Sequence, residues 1–558
     1  MLRRLVADLI RFAGRKDSVG RDAADAARIR GDWPQAAVVY DHYLVRVPGD
    51  AAARNDYGIV LCELGRLDLA KGQFETALSI NPRIASAHLN LGHLCMKRQA
   101  YREAVSHYRG FLEMEPDHHD VRGQLALAHY ELGEVETALE CLAQISQSGL
   151  LEDEYSLFMT NALAGHDPRG HREAHLAWGA KLSAITTARK APASHSGRAG
   201  GGKIRIGYVS ADFREHAVTR FLLPVLEWHD RSSFAIFCYA NQSESDDITT
   251  SIRSMEVTWR NIGGLDDEQA AARVAADGID ILVDLSGHTR GNRLGVFVLK
   301  PAAIQVSWLG YLNTTGLKAI RYRISDSLMD PEGISDECHS ETLVRLDPSG
   351  WSYRAPAGAP IPGPAPGDTN GYTTFGSFNH IAKLNDQVLD CWAAILERCP
   401  ESRLNILGVP DPEAAGRLAG PFLKRGIAVK RLKMIPRLHR GDFMREMENV
   451  DIALDPFPYC GGATTCECLW MGLPVVSLAG DFGFARSSTA IVSQAGFPEF
   501  VVQSQKAYIG KALDLAVAGI AGYRATMRDT MRASVLMDEA GFVRRLETAF
   551  RGLLHQET

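Results

Sequence analysis

The chain has 558 residues, with 61 basic and 67 acidic side chains, a formal charge of −6 and a pI near 6.3. That length exceeds what one core supports, so it predicts roughly two to four domains, and the mild acidity argues against a general nucleic-acid coat. The ten cysteines show neither Cys-x-x-Cys pairs nor zinc-site spacing, Cys466 and Cys468 being the closest two, so free thiols in a reducing cytoplasm are expected.

The N-terminus, MLRRLVADLIRFAGRK, is basic and amphipathic, but Arg3, Arg4, Asp8 and Arg11 break its apolar runs. It lacks the unbroken apolar core and small-residue cleavage site of a signal peptide. No apolar run reaches 18 residues, so no membrane span is expected.

A 34-residue period follows: Pro48, Pro82 and Pro116 keep it, as do Ala36, Ala70, Ala104 and Ala138. Tyr40, Phe74 and Tyr108 follow the first three alanines at helical spacing, and Gly58 and Gly92 fall in step. Such a period predicts stacked helix-turn-helix units of the tetratricopeptide kind, which bury their apolar faces only against neighbours. Residues 1–150 are assigned to these repeats and residues 151–202 to a helical cap and linker, the latter ending in the Ala/Ser/Gly-rich KAPASHSGRAGGG. The repeats offer a surface for protein partners, and their convex face could pair in a homodimer.

From Lys203 onward, short β-branched runs alternate with amphipathic helices, the pattern of open parallel α/β sheets. Strands are predicted at 204–209, 234–239, 279–284 and 304–308 in a first lobe, residues 203–354. A Pro/Gly-rich bridge at 355–370 leads to a second lobe at 371–558, with strands at 373–378, 403–407, 450–455 and 474–478. Its terminal helix, around 541–554, places Phe542, Leu546, Phe550 and Leu553 on one face for packing. The fold class is therefore α/β with an N-terminal all-α repeat, and two such lobes imply a ligand cleft at the carboxyl ends of their strands.

Three segments carry chemistry. VDIALDPFPYCGGATTCECLWMGLPVVSLAG reads strand, glycine loop, helix, turn, strand; Gly461 and Gly462 admit close approach, and Thr464 and Thr465 stand where a helix starts, amides and hydroxyls outward. A diphosphate suits that helix start, and Glu467, expected in the first turn, would repel it and so suits ribose hydroxyls. The alternative makes Thr464 an N-cap and Glu467 its capping-box partner. In FGSFNHIAKLND, Lys383 follows a strand end and could stabilise a departing diphosphate, or simply be solvated. In IGYVSADFREH, His216 lies past a strand end as a base or substrate-orienting group, or as a surface histidine; His288 in DLSGHTRGNR and the stretch WLGYLNTTG are further candidates. Asp-x-Asp, the P-loop and Gly-x-Gly-x-x-Gly at strand ends are absent from the sequence, against a metal-bridged diphosphate, a P-loop NTPase and an NAD enzyme.

With DPEGISDE between the first-lobe motifs and the lysine segment, these motifs occur in an order that resembles the tetratricopeptide-containing protein O-GlcNAc transferases, glycosyltransferase family 41, and especially its bacterial homologues, over nearly the whole chain. The resemblance implies an inverting transferase of two Rossmann-like lobes (GT-B) that moves GlcNAc from UDP-GlcNAc to Ser or Thr of proteins, with no metal or cofactor. It implies that His216 and Lys383 are catalytic, and that His380, Lys383, Arg440, Gly462, Ala463, Thr464, Thr465 and Glu467 hold the nucleotide sugar. His288, Tyr311, Thr314 and Thr315 would form the acceptor or sugar loop. The chain departs from the family pattern at Gly462, Ala463 and Phe443, and in Tyr311-Leu312-Asn313-Thr314. A protein O-fucosyltransferase using GDP-fucose, and a UDP-sugar sensor with little turnover, are the alternatives.

Overall fold

The computed structural model describes residues 20–145, 149–165, 167–187 and 202–557, and it divides into two compact units, residues 1–148 and 149–558. The N-terminal segment read against a signal peptide and most of the predicted linker lie outside the described residues.

The first unit is a run of antiparallel helix pairs: α1 (Arg21–Ile29), α2 (Trp33–Arg46), α3 (Ala51–Glu63), α4 (Leu67–Ile80), α5 (Ala85–Lys97), α6 (Tyr101–Leu112), α7 (His119–Glu131) and α8 (Val135–Ala143). The periodic residues explain it. Ala36, Ala70, Ala104 and Ala138 are fully buried at the helix contacts, with Tyr40, Phe74 and Tyr108 beside them. A Cβ on Gly58 would stand 2.4 Å from the Phe74 ring, and one on Gly92 2.4 Å from the Tyr108 ring, so the in-step glycines make room for the aromatic of the next helix. Asp32 and Asp50 cap α2 and α3 by accepting from Gln35 N and Ala53 N.

The second unit opens with α9 (Leu150–Thr160) and α10 (Pro168–Thr187). Both were expected to cap the repeats; instead they pack on the first lobe. Leu157, Trp178 and Leu182 share a core with Leu282, Phe297 and Leu317, and a Cβ on Gly179 would lie 2.1 Å from Gly316 O. Their partners are buried residues of the first lobe's sheet and of the segments that connect its strands.

The first lobe is a parallel sheet in the order β3 (Thr258–Asn261), β2 (Phe234–Ala240), β1 (Ile204–Ser210), β4 (Ile281–Asp284), β5 (Ile304–Ser307), β6 (Tyr322–Ser325), β7 (Thr342–Arg345). The second is also parallel, in the order β10 (Leu432–Ile435), β9 (Arg403–Leu407), β8 (Thr374–Ser377), β11 (Ile452–Leu454), β12 (Val475–Leu478), β13 (Val501–Val502). The eight predicted strands are present, while β3, β6, β7, β10 and β13 were not foreseen. One apolar core runs through both lobes, from Ile206, Tyr208 and Val283 to Phe375, Ile406 and Ile452. The terminal helix, α14 (Glu539–Glu557), does not stay with the second lobe as expected: it returns to the first, stacking Phe542 on Trp308 and accepting at Glu547 from His229 Nδ1 at 2.9 Å.

Candidate functional site

In each lobe the strand order reverses beside the first strand, at β1/β4 and at β8/β11, and the loops leaving those strands at their carboxyl ends frame the crevice where such sheets bind ligands. The four loops carry His216, His288, Lys383 and the Gly461–Thr465 turn.

In the second lobe, α13 (Ala463–Trp470) begins after Gly462, which caps it without a side-chain hydrogen bond. The amides of Ala463, Thr464 and Thr465 therefore form the positive end of the helix, with no acceptor inside it. Lys383 closes a short turn, Ile381–Lys383, that His380 starts by accepting from Ala382 N at 3.2 Å. The lysine Nζ donates to Cys460 O at 2.8 Å and lies 3.9 Å from the centre of the Tyr459 ring. Asn385 Nδ2 donates to Phe457 O at 2.8 Å, so the lysine loop and the glycine loop are pinned together. Burial pushes the Lys383 ammonium below its ordinary value, and the Asp455 carboxylate opposes that shift.

Thr464 is half-buried at the helix start. Thr465 corrects its expectation: it turns inward, 1% exposed, and its Oγ1 has no hydrogen-bond partner among the described residues. Glu467 lies in the second turn rather than the first, because the helix begins at Ala463, which also removes the capping-box alternative. Its Oε1 accepts from Arg440 Nη2 at 2.7 Å, at the start of α12 (Arg440–Met447), and Arg440 Nη1 reaches Glu215 of the first lobe at 2.6 Å. Burial raises the Glu467 carboxyl, and Arg440 and Arg220 counter it. Phe443 packs edge-on against Phe378 at 5.8 Å between centroids.

In the first lobe, β1 ends at Ser210 and α11 (Thr219–Trp228) follows, burying Phe221, Leu222 and Val225 as expected. Between them stands His216, its side chain 40% exposed and its Nδ1 3.7 Å from Asp212 Oδ2. Partial burial holds its pKa below the ordinary histidine value, Asp212 opposing.

The four residues expected to meet the acceptor or sugar do not present their side chains. Tyr311 OH donates to His175 Nε2 at 2.9 Å, the other ring nitrogen of that histidine being turned to His171 O at 2.6 Å, and accepts from Asn161 Nδ2 at 3.1 Å. His288 is packed edge-on against Trp178 at 4.5 Å, with Nε2 2.9 Å from Thr315 O. Thr314 and Thr315 are consumed by the buried Glu341, which accepts from Thr314 Oγ1 at 2.6 Å and Thr315 N at 2.7 Å. All four instead moor their loops to α9, α10 and the stretch before β7. Sequence reasoning also passed over Asp455 and Glu215, although one directly follows a switch-point strand and the other adjoins His216.

A tetratricopeptide array followed by two parallel-sheet lobes, with a lysine and a helix N-terminus at the switch point of the second, defines a two-lobed glycosyltransferase architecture. The profile of glycosyl transferase family 41 matches residues 167–349 and 367–544, and tetratricopeptide repeat profiles match 21–83 and 95–161. The chain belongs to glycosyl transferase family 41. Over 358 residues it is 38% identical to the Oryza sativa subsp. japonica protein named Probable UDP-N-acetylglucosamine–peptide N-acetylglucosaminyltransferase SPINDLY, covering 62% of this chain and 38% of that one. The Arabidopsis thaliana protein of the same description named SEC is 28% identical over 378 residues, 63% of this chain and 37% of that one. The chain thus spans well under two thirds of those relatives' length. A solved structure of a Thermobaculum terrenum O-GlcNAc transferase mutant aligns over 96% of this chain and 97% of its own, with a TM-score of 0.71 and 31% identity.

Proposed function

We propose that this chain is an inverting glycosyltransferase that moves N-acetylglucosamine from UDP-GlcNAc to Ser or Thr hydroxyls of proteins, needing no metal. The observation that carries the reading is the meeting, at one switch point, of Lys383 with the N-terminus of α13 through Cys460. Together they offer fixed positive charge where a diphosphate would leave. Glu467 and Arg440 lie in the same lobe for the nucleoside, with His380 at the head of the lysine turn. An acceptor hydroxyl attacks the anomeric carbon from the side opposite the diphosphate, which inverts it. His216, neutral at pH 7, takes or orients the hydroxyl proton, while Lys383 and the amides of Ala463, Thr464 and Thr465 receive the charge that develops on UDP. The repeats select protein acceptors, and the ten free thiols suit a cytoplasmic setting.

The test is to measure binding, hydrolysis and protein transfer with UDP-GlcNAc, UDP-glucose and GDP-fucose, for the wild type and Lys383→Ala. Transfer from UDP-GlcNAc, lowered on the order of a hundredfold or more by the substitution, supports the reading. Turnover of GDP-fucose alone reassigns the donor, tight UDP binding without any transfer makes the chain a sensor, and undiminished turnover in Lys383→Ala ends the leaving-group role.

A further inference from the structure

Asp455 directly follows β11 and is 2% exposed. Its Oδ1 accepts from Gly461 N at 3.0 Å and from Asn379 Nδ2 at 3.4 Å, and Oδ2 lies 3.3 Å from the same Gly461 amide. Gly461 N and Cys460 O belong to one peptide group, whose carbonyl accepts from Lys383 Nζ at 2.8 Å. A buried carboxylate therefore holds the amide end of a peptide unit while a partly buried ammonium holds its carbonyl end. The space inside the clamp is tight: a Cβ on Gly461 would stand 2.7 Å from Asp455 Oδ1 and within contact of Thr465 Oγ1.

We propose that Asp455 is a positioning residue of the donor site: it fixes the Cys460–Gly461 peptide ahead of α13 and, through that peptide, holds Lys383 in its charged form. The peptide orientation follows from the hydrogen bonds. With Gly461 N committed inward to Asp455, the chain enters the helix with the next amides free for a ligand. The charge role follows from electrostatics in a region of low polarity, where an unpaired ammonium loses its proton more readily than one facing a carboxylate. The titratable and charged groups facing the pair are few. Tyr459 and Cys460 flank Lys383; Ser488 and Cys468 face Asp455, as does Tyr508, whose OH donates to Asp455 O at 2.9 Å; Arg486 is the cation that interacts with Cys460. Tyr459, Tyr508, Ser488 and the thiols of Cys460 and Cys468 are neutral near pH 7, which leaves Asp455 as the anion facing Lys383 among these groups. Burial pushes Asp455 up to about 6, Lys383 and the Gly461 amide opposing, so the carboxylate is ionised at neutral pH.

The donor-site role rests on the function proposed above; the charge role is measurable without any donor. Acylation of Lys383 by pulses of acetic anhydride, read by mass spectrometry across pH, reports the protonation midpoint of the lysine in wild type, Asp455→Asn and Asp455→Glu. Asp455→Asn retains an oxygen for Gly461 and the side-chain volume but not the charge. Its Lys383 midpoint should fall by about 1 pH unit or more, and its transfer rate should drop at least about tenfold at alkaline pH, less so toward pH 6. Asp455→Glu should restore the midpoint to near the wild-type value while kcat stays low, because the longer side chain cannot hold Gly461 in place. An unchanged midpoint in folded Asp455→Asn overturns the proposal, as does a wild-type kcat in Asp455→Glu, the variant that carries the test if Asp455→Asn fails to fold. A chain that never turns over UDP-GlcNAc but shows the midpoint shift would remove the function proposed above and leave the charge clamp standing.

Discussion

His216 lies below the ordinary histidine pKa of 6.5 because burial disfavours its cation more than Asp212 favours it. The sign of the consequence is fixed: a base is active when neutral, so lowering its pKa extends activity toward acid. Transfer should be level from pH 7 to 8 and fall only below 6.5, with an acid limb that disappears in whatever rate survives His216→Ala; a limb above 6.5 would mean that another group takes the proton. Lys383, His216 and the helix-start residues were legible because each stands a few residues past a β-branched run, and local spacing places it at a sheet edge. Asp455 also satisfies that rule, but its meaning depends on Lys383, which reaches it only through the folded peptide of Cys460. The inward turn of Thr465 was equally illegible, since two adjacent threonines at a helix start differ only by the rotation of the helix. Likewise, the family resemblance put Tyr311, Thr314 and Thr315 in an acceptor or sugar loop; Glu341 and His175, distant in sequence, claim their hydroxyls.

At the scale of elements, the predicted strands were those whose runs of Ile, Val and Leu are buried on both faces, such as Ile281–Asp284 and Arg403–Leu407. The missed ones are short or carry charge: Thr258–Asn261 is the half-exposed edge strand, and Tyr322–Ser325 contains the buried Arg323, which donates to Tyr311 O at 2.6 Å. Helices α9 and α10 misled for a related reason. The sequence of α9 remains close enough to the repeats that a tetratricopeptide profile runs to residue 161, yet its Leu157, like Trp178 of α10, is buried against the first lobe. Removal of the repeats must therefore stop before residue 149. A chain starting there should bind UDP within about twofold of the full-length value and transfer poorly to whole proteins, while still modifying short peptides. A cut made beyond α10 should lose UDP binding too, because Tyr311 and His288 lose Asn161, His175 and Trp178. Calorimetry on the two truncations separates these outcomes, and equal loss of binding in both would assign the repeats a role in holding the second unit together.

Within the second unit the two lobes are joined unequally. Along one side the joint is buried and dense: Gln494 Nε2 donates to Asp326 Oδ2 at 2.9 Å and Gly483 N to Asp330 Oδ1 at 3.1 Å. Such bonds are shielded from salt, and removing one partner strands a buried polar group. Across the crevice the lobes meet in an ionic chain, Arg220 to Glu215 to Arg440 to Glu467, whose central pair is exposed by 44% at Glu215 and 37% at Arg440. A pair that open contributes only about 0–1 kcal/mol and is screened by salt. The buried side therefore acts as a fixed seam, and the ionic side sets how the His216 loop, to which Glu215 belongs, is registered against Glu467 of the second lobe. In Glu215→Gln the loop loses its charged tie while Arg440 keeps Glu467. The variant should hold UDP within about twofold of wild type, since the seam and the second lobe are untouched, while kcat for transfer falls a few fold. Raising the salt concentration should lower wild-type kcat toward the variant's and leave the variant nearly unchanged. Steady-state kinetics at low and high salt decide the matter: a UDP affinity that weakens with kcat constant would mean that the ionic chain serves the nucleotide and not the register of His216.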